Sequence, residues 1–412
     1  MTVPTLLLAC GVTLAGLLTL FVVGEAIARL VFAHGKYYVW PPYFRIKADL
    51  IPEVFPGLDP KVTFCINSDG ERGSEPPRSL DGLYRILVVG GSAAECFLLD
   101  QEACWPMRIH RNLNTPSALS ALRVTQVHVG SIAKSFVDSA KLNLILRRVL
   151  PQYRKIDAVF IMVGASDILN WLRSSAPENP KPAVVEAADV FKCNPEARYH
   201  WYPPKDTASA ECWRRLRRRL FRWEAEWSAY GSSVLKLQAM RQRAKIIKSE
   251  VPAHATLLDN YANFLGMSIR LIQDSGARVL VIPQPWLPPE NLTEAERKRL
   301  WNGAEGDPHK QDVSTYYSSE LIARLQSEVN EVACRVAKEH GAQIVHVQEC
   351  LTPPPACFHD DFHCTPLGAE IVADIVSKAF LDHYSESSPE PGSNRTREVG
   401  LTRPGVASQD LH

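Results

Sequence analysis

Five short apolar runs, at residues 85–89, 124–129, 158–163, 278–282 and 343–347, punctuate this chain and limit what it can fold into. The first stops at Gly90-Gly91 and the fourth at Pro283, both abrupt ends for a strand. Helical stretches such as 256–274 and 320–340 lie between the runs. A short β-branched run such as 85–89 reads as a buried strand. Strands that alternate with helices imply a mainly parallel sheet covered on both sides. The expectation is an α/β domain of three layers, α/β/α, spanning residues 85–384.

That rhythm breaks between about residues 170 and 252, where prolines, tryptophans and arginines crowd together. This stretch reads as an insertion with its own helices, and residues 35–84 read as a lead-in. Residues 385–412 are rich in Ser, Pro, Gly and charge, and hold too few large apolar groups to offset the entropy of ordering. They are expected to be disordered.

At the other end, residues 5–24 carry no charge and are rich in Leu, Val and Ala. About 20 such residues in a helix match the hydrocarbon core of a bilayer. Residues 1–34 are therefore read as a single-pass membrane anchor. A cleaved signal peptide is the rival, with Ala26-Ile27-Ala28 as a small-x-small site, but the run is long for a signal core and no Lys or Arg precedes it. A lipoprotein reading at Cys10 has too little apolar sequence before the cysteine. Arg29, Lys36, Arg45 and Lys47 follow the span, and by the positive-inside tendency they would hold the bulk of the chain in the cytoplasm. Long domains translocate against that tendency, and an extracytoplasmic (periplasmic) domain is the placement expected here.

Composition excludes several classes. Hydrophobic residues at 46% can fill a large core, and a net charge of +1 offers no global field for nucleic acid or a strongly acidic partner. The ten cysteines include no CxxC pair, which argues against a zinc ribbon or a redox motif. Cys350 and Cys357 are spaced to close a short loop. The one charge run, residues 213–223, sets Trp213, Leu216, Leu220, Trp223 and Trp227 at three- and four-residue steps. It reads as a helix packed on the domain with a solvated basic face; a helix lying on anionic lipid, or a clamp for an acidic glycan, is the alternative.

The chemistry sits where strands end, since ligands bind at the carboxyl ends of parallel strands. Gly90-Gly91-Ser92 follows the first run, and its serine suits either a nucleophile at a tight turn or a helix N-cap. Gly130-Ser131 follows the second, where a glycine N–H can approach a substrate oxygen or simply turn the chain. Gly164-Ala165-Ser166-Asp167 follows the third and can line a pocket or cap the next helix. His359-Asp360-Asp361-Phe362-His363 precedes an apolar helix. Its spacing lets a carboxylate fold back onto the His363 imidazole, fixing the tautomer and stabilising the imidazolium. A metal site using His359, His363 and an Asp, or a solvated loop, are the competing readings of that segment.

In this order the segments resemble the SGNH/GDSL hydrolase superfamily, with its Ser after glycine, its Gly, its Gly-x-Asn-Asp and its Asp-x-x-His. Residues 66–73, with Asn67, Ser68, Gly70, Arg72 and Gly73, resemble an element of many membrane-anchored bacterial members. The resemblance implies a flavodoxin-like sheet, a triad of Ser92, Asp360 and His363, and an oxyanion hole from Ser92, Gly130 and the third block. Here Ser166 stands where the family has the asparagine that donates to the oxyanion. Losing one such donor costs on the order of 10²–10³ in rate. The classical α/β-hydrolases are excluded, because Ala94 replaces their second glycine and their Asp and His lie far apart.

The resemblance implies hydrolysis of carboxylic esters, with O-acetyl groups on glycans or lipids as candidate substrates, and calls for no metal or organic cofactor. Two other functions stay open: an O-acyltransferase acting on cell-envelope polysaccharide, and a membrane-anchored glycan-binding protein that has lost catalysis.

Overall fold

The computed structural model describes residues 3–33, 35–182, 184–221 and 224–387. The five apolar runs form one all-parallel sheet. Its strands are β1 (Leu83–Gly90), β2 (Gln126–Ser131), β3 (Ala158–Met162), β4 (Arg278–Val281) and β5 (Gln343–Ile344). They lie in the order β2-β1-β3-β4-β5. Strand order thus reverses between β1 and β3, the place where crevices open in doubly wound sheets. The last run is shorter as a strand than its sequence suggests. Beyond Ile344 a single further bond, from Val345 N–H to the Val281 carbonyl, continues the pairing.

Burial explains the runs. Every residue of β1 and β3 is buried, so neither strand has a face that would select polar alternation. One face of the sheet is covered by α1 (Trp105–Leu113) and α5 (Pro366–Ser387), the other by α2 (Ser139–Val149), α3 (Ala255–Asp274) and α4 (Ser319–Glu339). Along β1, Ile86 and Val88 enter one core while Leu87 and Val89 enter the other. The three-layer α/β/α expectation holds. The helix α5 continues to Ser387, and the remainder of the expected tail lies outside the described residues.

Residues 35–84 do more than lead in. Strands Arg45–Leu50 and Lys61–Cys65 pair antiparallel, and Ala225–Tyr230, from inside the expected helical insertion, adds in parallel beside Arg45–Leu50. This small sheet has its own core, around Ile46, Phe55 and Phe64. A buried cluster ties it to the large sheet. Glu71 accepts from His128 at 3.0 Å and from Arg85 at 2.9 Å. Burial would raise the Glu71 pKa, but the His128 hydrogen bond and the Arg85 charge bring it down to about 2. The ten cysteines are free thiols, Cys350 and Cys357 included.

The N-terminal helix runs from Val3 to Ala33, and its stretch Leu7–Ala33 is long and apolar enough to cross a membrane by length and composition. Near its end it grips the arginine-rich helix Ala208–Phe221. Glu25, wholly buried, accepts the N–H groups of Ala208 and Ser209 at 2.9 and 2.8 Å, satisfying donors that open any helix. Arg29 lies over the Trp201 ring, and Arg215 over Phe32. Packing of the helix's apolar face on the domain is not found: Trp213, Leu216 and Leu220 point outward. Trp227 does not continue that face either. It belongs to the strand Ala225–Tyr230 and stacks on Tyr230. Trp223 lies outside the described residues.

Candidate active site

Ser92 begins a single helical turn, Ser92–Glu95, directly after β1. The approach demands glycine. Gly90 has φ +153° and its α-carbon crosses β3 so closely that a methyl group would sit 1.9 Å from the Met162 carbonyl oxygen. Arg72, from the 66–73 element, pins the exit of the same turn. Its guanidinium donates to the carbonyls of Glu95 and Cys96 at 2.7 Å each and to that of Leu99 at 2.6 Å. The hydroxyl-bearing turn is therefore clamped on both sides.

His363 meets Ser92 from the other end of the chain, its Nε2 2.8 Å from the serine Oγ. Its Nδ1 lies 2.7 and 2.8 Å from the two oxygens of Asp360. Asp360 Oδ1 also accepts the N–H groups of Phe362 and His363, both at 3.0 Å. Trp301 Nε1–H donates to Oδ2 at 3.1 Å. The neighbouring Asn302 holds Asp361 at 2.9 Å, so one pair of residues fixes the whole acidic loop.

The charges follow from these contacts. Burial would raise the Asp360 pKa, but the facing imidazoles and hydrogen bonds hold it well below the usual carboxylate range. Burial would depress His363, but the Asp360 charge and hydrogen bond outweigh it and raise its pKa. His359 stacks on His363 with ring centroids 5.6 Å apart, and burial brings its pKa down to about 4, leaving it neutral. His359, Asp360 and His363 together are a metal-like grouping. Their donors are spoken for differently: Asp360 is saturated by four N–H groups, and His363 Nε2 faces a hydroxyl rather than a shared centre.

The third block reaches the site, and the second does not. Ser166 lines the cavity beside Ser92, and a methyl group on Gly91 would lie 3.5 Å from its Oγ. Asp167 instead accepts the N–H and hydroxyl of Ser139, tying α2 in place; burial and the nearby Asp138 raise its pKa to about 7. Gly130 lies within β2 opposite Leu87, its α-carbon packed on Glu71, and is not among the cavity residues. Because Ile132 N–H donates to Val88, ladder alternation turns the Gly130 N–H into the sheet too. The oxyanion role expected for Gly130 is corrected accordingly: the run 124–129 ends as a strand two residues later than its sequence suggests.

The cavity holds about 220 Å³ and is mostly apolar. Phe55, Phe97, Leu169, Tyr230, Leu237 and Trp301 are among the residues that line it, Tyr230 coming from the small sheet and Phe55 from its core. Sequence reasoning missed Trp301, Arg72's role and the whole small-sheet wall. A tryptophan in the loop after the helical turn Glu294–Arg297 carries no local signal of the carboxylate it will meet.

Scanned against family models the chain matches none, and no curated protein matches it. Solved structures give distant likenesses. Axe2, an acetylxylan esterase from Geobacillus stearothermophilus, is 15% identical with a TM-score of 0.37, covering 73% of this chain and 94% of its own. LAE5, an alpha/beta hydrolase enzyme from the metagenome of Lake Arreo, Spain, is 13% identical with a TM-score of 0.38 over 73% and 94%. The acetyl xylan esterase AlAXEase is 11% identical with a TM-score of 0.38 over 72% and 98%. Likenesses this distant carry no part of the functional argument.

Proposed function

We propose that the chain is a serine ester hydrolase of the SGNH/GDSL type, held at a membrane by its N-terminal helix. The observation that carries this is the unbroken relay from Ser92 Oγ to His363 Nε2 at 2.8 Å and from His363 Nδ1 to Asp360 at 2.7 Å. His363 takes the Ser92 proton as the oxygen attacks the ester carbonyl, and Asp360 stabilises the imidazolium. The tetrahedral oxyanion is held by the Ser92 N–H, which as the first of its turn has no acceptor within that turn, and by the Ser166 hydroxyl. The imidazolium returns its proton to the departing alcohol, leaving an acyl-serine. His363 then deprotonates a water, which attacks the acyl-serine, and returns that proton to the departing Ser92 oxygen as the acid is released. Hydrolysis is preferred over transfer to a sugar hydroxyl because water needs no bound acceptor, and the cavity surface is mostly apolar although Asn170, Ser233, Asn302 and His309 also line it. An intact triad likewise argues against a purely binding descendant.

A fluorophosphonate probe tests the assignment on the full chain. Labelling that is present in the wild type and absent from Ser92→Ala is expected; equal labelling of both would overturn it. The helix Val3–Ala33 is proposed to span the bilayer with the domain extracytoplasmic. Protease added to spheroplasts, whose inner membrane is intact and outer membrane removed, should then degrade the domain, and full protection there would reverse the orientation.

A further inference from the structure

The cavity beside Ser92 is a slot to whose lining two helices contribute. Ser166, Leu169, Asn170 and Arg173 follow at three- and four-residue steps along the helix Ala165–Arg173, and all four line it. Val234 and Leu237, from the helix Ser232–Gln242, line the slot as well and are apolar. The row begins with a hydroxyl at the reacting centre and ends with a cation.

Arg173 is unusual in this company. It is partly buried, with its guanidinium 5.3 Å over the Phe136 ring. Among the described lining residues Asp360 is the one carboxylate, and it is committed to His363 and Trp301. Asp307 attracts Arg173 at longer range, but its carboxylate already holds Lys310 at 3.2 Å and the His309 N–H at 3.0 Å. Burial lowers the Arg173 pKa, yet guanidinium stays charged at any working pH. A cation against apolar walls without a close counter-ion is costly unless a ligand supplies one.

We propose that the substrate is an ester whose apolar chain ends in an oxyanion, and that Arg173 binds that end. The inference rests on the ester-hydrolase reading above. The helix supplies a ruler. Arg173 lies seven positions beyond Ser166, which at 1.5 Å per position puts the anion roughly 10 Å from the scissile carbonyl. A short polar acyl group such as acetyl would leave both the apolar walls and Arg173 without contacts.

The test compares p-nitrophenyl monoesters of azelaic acid and of succinic acid with p-nitrophenyl decanoate, the neutral counterpart of the azelate, on the full chain in detergent. The azelate is expected to exceed both others in kcat/KM by on the order of 10-fold, the scale of one hydrogen bond to a charged group. Arg173→Gln should abolish its advantage over decanoate through KM, and Arg173→Lys should restore part of it. Equal hydrolysis of azelate and decanoate by a wild type whose Ser92 reacts with fluorophosphonate would overturn this inference and leave the hydrolase standing. A folded wild type whose Ser92 does not react would overturn both.

Discussion

Replacing Asp360 by Asn changes one atom and should silence the enzyme. In the wild type, four N–H groups converge on the carboxylate: those of Phe362, His363 and Trp301, and the His363 ring. An amide has one accepting oxygen and one donating nitrogen. If the oxygen stays with the two backbone N–H groups, the amide nitrogen faces Trp301 Nε1–H, donor against donor. It also obliges His363 Nδ1 to accept. The imidazole proton then moves to Nε2 and points at Ser92, which cannot give up its own proton to that nitrogen. A wrong tautomer of this kind lowers kcat by about 10⁴-fold, or about 5.5 kcal/mol of transition-state free energy. The orphaned Trp301 N–H adds a stability loss of about 1–3 kcal/mol. The assay is kcat on a p-nitrophenyl ester from roughly pH 5 to 9, beside a thermal melt to confirm folding. A folded Asp360→Asn protein within tenfold of wild-type kcat would refute the reasoning, because the tautomer would then be fixed by something else.

Four further outcomes are expected. Since the His363 pKa is raised above its ordinary 6.5, the acid limb of kcat/KM should lie above that value, with activity lost as the pH falls and the imidazole protonates. The same raised pKa stabilises the fold below 6.5 and loses that contribution as pH rises through the folded value, while the lowered pKa of Asp360 contributes above 3.8 and is lost only in stronger acid; urea titrations across pH would check both signs. Ser166→Ala should lower kcat by about 10²-fold with little change in KM, as removal of one oxyanion donor does, and unchanged kcat would remove Ser166 from the mechanism. Glu71→Gln, which strips the buried partner of Arg85 and His128, should cost about 3 kcal/mol in urea unfolding, and a shift below 1 kcal/mol would show the cluster to be replaceable.

Much of the fold was legible because burial on both faces leaves its mark on sequence: β1 and β3 hold hardly a polar residue. Ser92 is legible because it sits at a stop next to such a run, and Asp360 and His363 because their three-residue spacing before an apolar helix brings a carboxylate back onto an imidazole. The errors have a common cause. Gly130 was assigned by its place after an apolar run, but the strand goes on through two further residues, and its missing side chain serves the close packing of Glu71. Trp227 was assigned by helical spacing, yet pairing with Arg45–Leu50, far away in sequence, draws it into a strand. Arg72, Trp301 and Arg173 act on partners 23 to 59 residues away or across a slot, and no local pattern encodes such distances.

The anchor helix enters its contacts with Ala208, Trp201 and the Arg215 side chain before it ends, with no loop between apolar stretch and grip. A tether of this construction has no slack. Were the helix planted in a membrane, as proposed, the domain could not swing out on a leash or sample a shell of heights above that surface. Its slot would then be carried at one elevation and one tilt, and what the site can process would be decided first by reach. Lengthening that join with a flexible spacer would change which esters are met without altering a single atom of the machinery that cleaves them.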